Sequence, residues 1–163
     1  MRVRAVEQAD LPFLWDMLWE ATAVSAEMRA LGKGAALTLP SVHKYLRDWG
    51  RDGDAGVIAV DPGDQPLGAA WYRLFARDDQ SYGFVASDVP EVTIGVAPSR
   101  RAQRVGTNLL AALVATARRH GHRAVSLSVD RQNPARRLYE RQGFRDAGTD
   151  APNDPSRTLI LYI

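Results

Sequence analysis

Basic and small residues between an apolar strand and an amphipathic helix could bind a polyanion. Residues 98–106 hold three arginines and two small residues, which are Arg100, Arg101, Arg104, Ala102 and Gly106. The first N–H groups of a helix are unpaired and carry partial positive charge, so such a turn suits phosphate. Guanidinium groups can add forked contacts to phosphate oxygens. The turn by itself fits an ordinary strand-to-helix connection with solvated arginines equally well.

The distribution of charge favours an anionic ligand. Residues 100–145 contain eleven arginines and only two acidic residues, although the whole chain has a net charge of +2. Clustered like charges repel one another, so this clustering indicates a ligand of opposite sign on one side of the protein. Nucleic acid is disfavoured, because the stretch lacks a recognition motif and its only aromatic residues are Tyr139 and Phe144.

A second motif follows the basic turn and predicts a short, capped helix. Asn133 is a favoured capping residue, Pro134 suits the first helical position, and Gly143 ends the helix. Tyr139 lies in its second turn, where the phenol could act as an acid or simply fill the core. The sequence leaves both roles open for this residue.

The remaining pattern predicts one α+β domain over residues 1–163. A chain of 163 residues with 45% hydrophobic residues suits a single core. Strand and helix spacing predicts strands at 3–6, 56–60, 67–75, 91–96, 124–129 and 158–163, and helices at 11–18, 42–49 and 107–119. The strand-helix-strand unit at 91–129 predicts a right-handed parallel crossover.

Several absences narrow the function. The chain has no cysteine, which excludes disulfides, thiolate zinc sites and cysteine nucleophiles. His43, His120 and His122 lack further ligands at suitable spacing, so no metal is expected. We see no signal peptide and no apolar segment of about 20 residues, which predicts a cytosolic protein without membrane contact.

The two motifs together resemble the hallmarks of the GNAT superfamily of N-acetyltransferases. The run Val96-x-Pro98-x-x-Arg101-Ala102-x-Arg104-Val105-Gly106 is similar to its acyl-coenzyme-A signature, Arg/Gln-x-x-Gly-x-Gly/Ala. The run Asn133-x-Ala135-x-x-Leu138-Tyr139-Glu140-x-x-Gly143-Phe144 is similar to its second hallmark. The resemblance implies a single α+β domain with helices on both faces of a mixed, mostly antiparallel sheet. Its parallel strands, 91–96 and 124–129, would splay apart.

The resemblance also assigns a coenzyme A site. The pyrophosphate would be held by the turn and the helix start, which comprise Arg101, Ala102, Gln103, Arg104, Val105, Gly106 and Thr107. Ile94 and Val96 would pair with the pantetheine amides, and Asn133 would bind near the pantetheine arm. Arg104 stands at the first signature glycine. A side chain is tolerable there because the backbone makes the contact, unless Arg104 needs a positive φ.

Acetyl-CoA and a primary amine would then react directly in a ternary complex. The amine attacks the thioester, N–H groups near Val96 stabilise the oxyanion, and Tyr139, near its ordinary pKa, protonates the departing thiolate. Glu91 opens the strand beside the coenzyme and is the first candidate for the general base. Glu27 is the second candidate, and both glutamates could instead be surface charges. Ser128 stands where some relatives carry a glutamate.

Two other functions remain open. The first is a regulatory module that binds coenzyme A but has lost catalysis. Two features support it: Arg104 replaces a signature glycine, and the general base is not decided between Glu91 and Glu27. A nucleotide-binding enzyme fits less well, because the turn has neither a P-loop lysine nor a Gly-x-Gly-x-x-Gly run. The acceptor would be gripped by residues 21–38 and 76–90, and the acidic residues of the second loop favour a cationic one. These are Asp78, Asp79 and Asp88. The resemblance is also consistent with a homodimer.

Overall fold

A seven-stranded sheet runs through the protein, and the computed structural model describes all 163 residues. The strands are β1 (Arg2–Ala5), β2 (Ala55–Val60), β3 (Pro66–Arg73), β4 (Glu91–Val96), β5 (Ala124–Asp130), β6 (Arg145–Asp146) and β7 (Ser156–Tyr162). Their order across the sheet is β1-β2-β3-β4-β5-β7-β6. Neighbours are antiparallel except β4 and β5, which are parallel. The predicted fold class, a mostly antiparallel sheet with one parallel pair, is confirmed.

Six helices accompany the sheet. They are α1 (Leu11–Thr22), α2 (Ala26–Leu31), α3 (Lys33–Thr38), α4 (Pro40–His43), α5 (Val105–Arg119) and α6 (Arg136–Arg141). None of them combines the length and the apolar character that crossing a bilayer requires. The crossover from β4 through α5 to β5 has the parallel arrangement that the sequence predicts.

The helices bury their apolar faces on opposite sides of the sheet. Helix α5 contributes residues at helical spacing, namely Leu109, Leu110, Leu113, Val114 and Ala117, to a core that also contains Tyr139 and Phe144. Helix α1 contributes Leu14, Met17 and Leu18 to the core on the other face. Strand β3 lies between the two layers, and seven of its eight residues are therefore buried.

A glycine lets helix α1 approach strand β4 closely. A Cβ atom at Gly95 would lie 2.4 Å from the carbonyl oxygen of Met17, a distance that a side chain cannot adopt. Helix α1 therefore crosses directly over the strand that borders the predicted coenzyme gap. The last residues of this helix, including Ala21 and Thr22, line a cavity beside that strand.

The predicted helix at 42–49 is wrong beyond its first residues, because α4 ends at His43. Asp48 has a φ of 55°, in the left-handed region. The buried guanidinium of Arg73 also donates hydrogen bonds to the carbonyl oxygens of Lys44 and Arg47, at 2.8 and 2.7 Å. A carbonyl turned toward a buried side chain is diverted from an α-helical hydrogen bond, which explains the irregular segment.

The segment 21–38, predicted to be loop-like around Gly32 to Gly34 and partly compatible with helix, contains the helices α2 and α3. Ser25 caps α2 by accepting a hydrogen bond from the backbone N–H of Met28. Gly32 separates the two helices with a φ of 90°. The glycine-rich break is therefore only one residue long, and Glu27 and Met28 of α2 line the cavity beside β4.

Candidate active site

Strands β4 and β5 separate just after they begin to pair. Their one registered pair is Glu91 with Ser126, beside a hydrogen bond from Ser126 N to Pro90 O at 3.0 Å. Backbone polar groups point alternately toward the two neighbouring strands, so those of Ile94 and Val96 face the gap. No residue of β5 pairs with them. They are available to an extended ligand that enters the gap.

A cavity of about 370 Å³ lies at this gap, on the side covered by α1 and α2. Both strands line it, and so do residues that the sequence assigned separately, which are Glu27, Glu91, Ile94, Asn133 and Tyr139. Cavities of this size are typical of small-molecule sites. The fold therefore brings both candidate bases and the candidate acid to one cavity.

Backbone N–H groups at the start of α5 form a surface suited to anions. The first hydrogen bond of this helix runs from Asn108 N to Arg104 O, at 3.1 Å. The N–H groups of residues 104–107 donate no hydrogen bond within the chain. Free N–H groups and the partial positive charge of the helix favour a pyrophosphate here. The helix begins at Val105, two residues earlier than the sequence predicts.

Two residues of the basic turn adopt a left-handed backbone. The φ angle is 61° at Ala102 and 63° at Arg104. The condition that puts a side chain at this signature position in doubt, a positive φ at Arg104, is therefore met, and the turn keeps the shape that glycine would give it. A non-glycine residue is less stable in this region by about 1–2 kcal/mol. The turn keeps this strained backbone at Ala102 and Arg104. The Arg104 side chain adds a positive charge at the N-terminus of α5.

Glu91 lies at the closed end of the gap and is only 3% exposed. Its carboxylate accepts hydrogen bonds from the Tyr45 hydroxyl at 2.8 Å, from Gly83 N at 3.0 Å and from the Ser81 hydroxyl. Burial raises the pKa of Glu91 to about 7, although these hydrogen bonds oppose the rise. A carboxylate has about four acceptor sites, so one site remains free on Oε2. Glu91 can therefore take up a proton near neutral pH.

Tyr139 combines a core ring with a hydroxyl that has no partner within the chain. The residue is 7% exposed, its ring packs edge-on against Phe144, and it lines the cavity. No buried polar side-chain atom of the chain is sealed off without a partner, so the hydroxyl reaches the cavity. Burial raises the pKa of Tyr139 well above its ordinary value, so the expectation of an unperturbed phenol is wrong. The hydroxyl stays protonated and can donate to a ligand.

A model described as the acetyltransferase (GNAT) family matches residues 14–144. This protein belongs to the GNAT family of acetyltransferases. The match spans both motifs, the gap and the basic turn, so the resemblance found in the sequence is confirmed.

Solved structures share the GNAT fold along nearly the whole chain. The ribosomal-protein-alanine N-acetyltransferase of Brucella melitensis aligns with a TM-score of 0.72 at 23% identity, covering 100% of both chains. The PaiA N-acetyltransferase of Thermoplasma acidophilum, solved with coenzyme A, aligns with a TM-score of 0.65 at 16% identity, covering 99% of this chain and 98% of that one. At these identities the likeness establishes the fold. No curated protein matches the chain.

Three other predicted site residues of this GNAT protein are exposed. Arg101 donates a hydrogen bond to Glu20 of α1 at 2.9 Å, and both side chains form an ion pair. Gln103 is exposed and donates to the carbonyl oxygen of Ser99 at 3.3 Å. Glu27 is an exposed residue in the first turn of α2 that lines the cavity. Of these three residues, Glu27 alone lines the cavity.

Asn133 organises the turn before α6 rather than capping the helix. Its side-chain oxygen accepts a hydrogen bond from Ala135 N at 2.9 Å, and α6 begins only at Arg136. The predicted positions of Asn133 as the cap and Pro134 as the first helical residue are therefore wrong, because the chain makes a side-chain-stabilised turn first. The amide NH₂ group of Asn133 has no partner within the chain and is available to a ligand in the cavity.

The residues that hold Glu91 were missed by sequence reasoning. Tyr45 falls within the predicted helix at 42–49, and Ser81 and Gly83 fall within residues 76–90, a polar insertion predicted to grip the acceptor. Gly83 packs against both strands where they separate, since a Cβ atom there would lie 2.7 Å from Glu91 Oε1 and 2.8 Å from Ser128 N. A glycine within a polar insertion was the one available signal. Its contacts are too distant in sequence for a local pattern to predict.

One acidic residue of the same insertion is already paired. The Asp79 carboxylate accepts a hydrogen bond from Lys44 Nζ at 2.7 Å, and Lys44 also donates to the backbone oxygens of Asp79 and Gln80. This contact explains why a lysine is only 9% exposed. Asp79 therefore anchors the insertion to the segment after α4, which weakens the expectation that it attracts a cationic acceptor.

Proposed function

We propose that this protein is an N-acetyltransferase that moves the acetyl group of acetyl-CoA to a primary amine by direct attack in a ternary complex. The proposal rests on the position and the raised pKa of Glu91. It is a buried carboxylate at the closed end of the gap, its pKa is raised to about 7, and it keeps one free acceptor site. A general base works best with a pKa near the operating pH.

The chain offers groups that fit each part of coenzyme A. The free N–H groups of residues 104–107, with the Arg101 and Arg104 guanidinium groups nearby, suit the pyrophosphate. The unpaired backbone groups of Ile94 and Val96 suit the amides of the pantetheine arm. The free amide NH₂ of Asn133 could donate to the same arm. Acetyl-CoA would supply the acetyl group as a thioester, which is reactive toward a neutral amine.

Glu91 and Tyr139 divide the proton transfers between them in this proposal. An ammonium group has no lone pair, so Glu91 would first take a proton from the acceptor. Tyr139 would donate a hydrogen bond and then a proton to the sulfur that leaves. Its raised pKa makes it a weaker acid than an exposed phenol, while burial strengthens the hydrogen bond that it donates. Binding of the substrates would expel water from the cavity, which would strengthen both interactions.

Thiol release from acetyl-CoA over a panel of primary amines tests the proposal. The wild-type protein should release thiol above buffer hydrolysis, with a kcat/KM that rises with pH around 7. Glu91→Gln should lower kcat by about 100-fold or more and leave coenzyme affinity unchanged. A loss confined to Glu27→Gln would assign the base to Glu27 instead. Tight acetyl-CoA binding without release by any amine would contradict the proposal and support the regulatory module.

A further inference from the structure

Two hydroxyl groups face the cavity from opposite sides of the gap, and neither has a hydrogen-bond partner within the chain. Thr93 on β4 is 9% exposed, and Ser128 on β5 is half-buried. Other hydroxyls in this region are bonded. Ser126 Oγ donates to Gly83 O at 2.7 Å, and Thr158 Oγ1 donates to an Asp150 oxygen at 2.9 Å.

Thr93 lies on the face of β4 that is covered by α1 and by the segment after α4, which contains Tyr45. Successive side chains of a strand point to opposite faces. Val92 belongs to the core under α5, and Ile94 packs against that same core. Glu91 bonds to Tyr45 on the other face. Thr93 therefore shares a face with Glu91, two residues further along the strand.

Ser128 occupies the equivalent place on β5. Leu127 and Val129 belong to the core under α5, so Ser126 and Ser128 point to the opposite face. Glu91 and Ser126 are in register where the strands still pair. Thr93 and Ser128 each lie two residues beyond that pair. They are thus the first side chains to face the cavity across the widening gap.

Both hydroxyl oxygens open onto the cavity, because no fully buried side-chain polar atom of the chain lacks a partner. The sheet does not need a hydroxyl at either position, since an apolar side chain could line the cavity instead. Neither hydroxyl supports a turn, a helix cap or a neighbouring loop. Their joint exposure to one cavity therefore indicates that a ligand group satisfies them when it is bound.

We propose that Thr93 and Ser128 bind the amino group of the acceptor and present it to Glu91. This inference rests on the proposed function. A primary ammonium has three N–H donors, and the two hydroxyl oxygens with the free acceptor site of Glu91 provide three acceptors. Glu91 takes one proton, so that R–NH₃⁺ and the carboxylate become R–NH₂ and a carboxylic acid. The lone pair left by that proton points toward Glu91, so the neutral amine, held by its two N–H donors to the hydroxyls, must turn toward the thioester carbon before it attacks.

The test compares steady-state kinetics of wild-type protein, Thr93→Val, Thr93→Ser and Ser128→Ala with an amine that the wild type acetylates. Thr93→Val keeps the shape and removes the hydroxyl, and it should lower kcat/KM for the amine by about 10- to 100-fold. Ser128→Ala should give a loss of similar size. Thr93→Ser should retain activity within about threefold. Coenzyme affinity and the rise of kcat/KM around pH 7 should not change in any variant.

Thr116→Val serves as the matched control. Thr116 lies on α5, away from the cavity, where its hydroxyl bonds to Ala112 O at 3.0 Å. This variant should keep wild-type kinetics. Equal kcat/KM in Thr93→Val and wild type would overturn the inference alone, as would a loss in Thr93→Ser as large as that in Thr93→Val. A wild-type protein inactive toward every amine would overturn the proposed acyltransferase function, and the inference would fail with it.

Discussion

Replacing Glu91 by glutamine should change how stability depends on pH. The folded-state pKa of Glu91 is about 7, against an ordinary value of 4.5. Between these values the folded state binds more protons than the unfolded state. The free energy of unfolding should therefore fall as pH rises through this range. At about 1.4 kcal/mol per pKa unit, the full loss is about 3 kcal/mol.

Glutamine fits the Glu91 site without a charge. Its oxygen can accept the hydrogen bonds from the Tyr45 hydroxyl and from Gly83 N, both of which reach Oε1 in the wild type. Its amide can donate to the Ser81 hydroxyl, which can rotate to accept. The variant should therefore fold, and it should lack the loss of stability that deprotonation causes in the wild type. A less active protein that is more stable at pH 8.5 is the expected result.

Urea denaturation of both proteins at pH 5 and pH 8.5 measures this effect. The stability of Glu91→Gln relative to the wild type should increase by about 2–3 kcal/mol between the two pH values. The exposed Glu27→Gln should show no comparable change, which controls for the charge difference. An equal difference at both pH values for Glu91→Gln would refute the claim that burial raises the pKa of Glu91.

Three further predictions concern the coenzyme side of the site. Tyr139→Phe should lower kcat by about 100-fold and leave acetyl-CoA affinity, measured by calorimetry, unchanged; equal turnover would limit the tyrosine to a packing role. Replacing Arg101 and Arg104 together by alanine should raise the Kd for coenzyme A, with a larger effect at low salt than at high salt. Ala102→Gly should relieve the left-handed strain and raise the free energy of unfolding, measured by thermal denaturation, by about 0.5–1 kcal/mol. A lower free energy of unfolding in this variant would contradict the strain at Ala102.

Local patterns in the sequence predicted the parts of the site that depend on neighbouring residues. The basic turn and the position of Tyr139 follow from spacing within single segments, and Glu91 followed from its place at the start of a strand. The start of α5 was predicted two residues too late. The hydrogen bonds to Glu91 could not be predicted, because Tyr45 is 46 residues away in the chain. A positive φ at Arg104 was raised as a condition but could not be decided, since the residue there is arginine although the backbone suits glycine.

The separation of β4 and β5 accounts for two properties of the site at once. Beyond Glu91 the strands no longer pair, so the backbone groups of Ile94 and Val96 are available to a ligand. At Glu91 the strands still meet, and residues 81–83 close over the carboxylate. Burial at the closed end raises the pKa of Glu91, while the open end provides the cavity that this residue reaches. A buried carboxyl group with a pKa near neutrality therefore follows from where the gap begins.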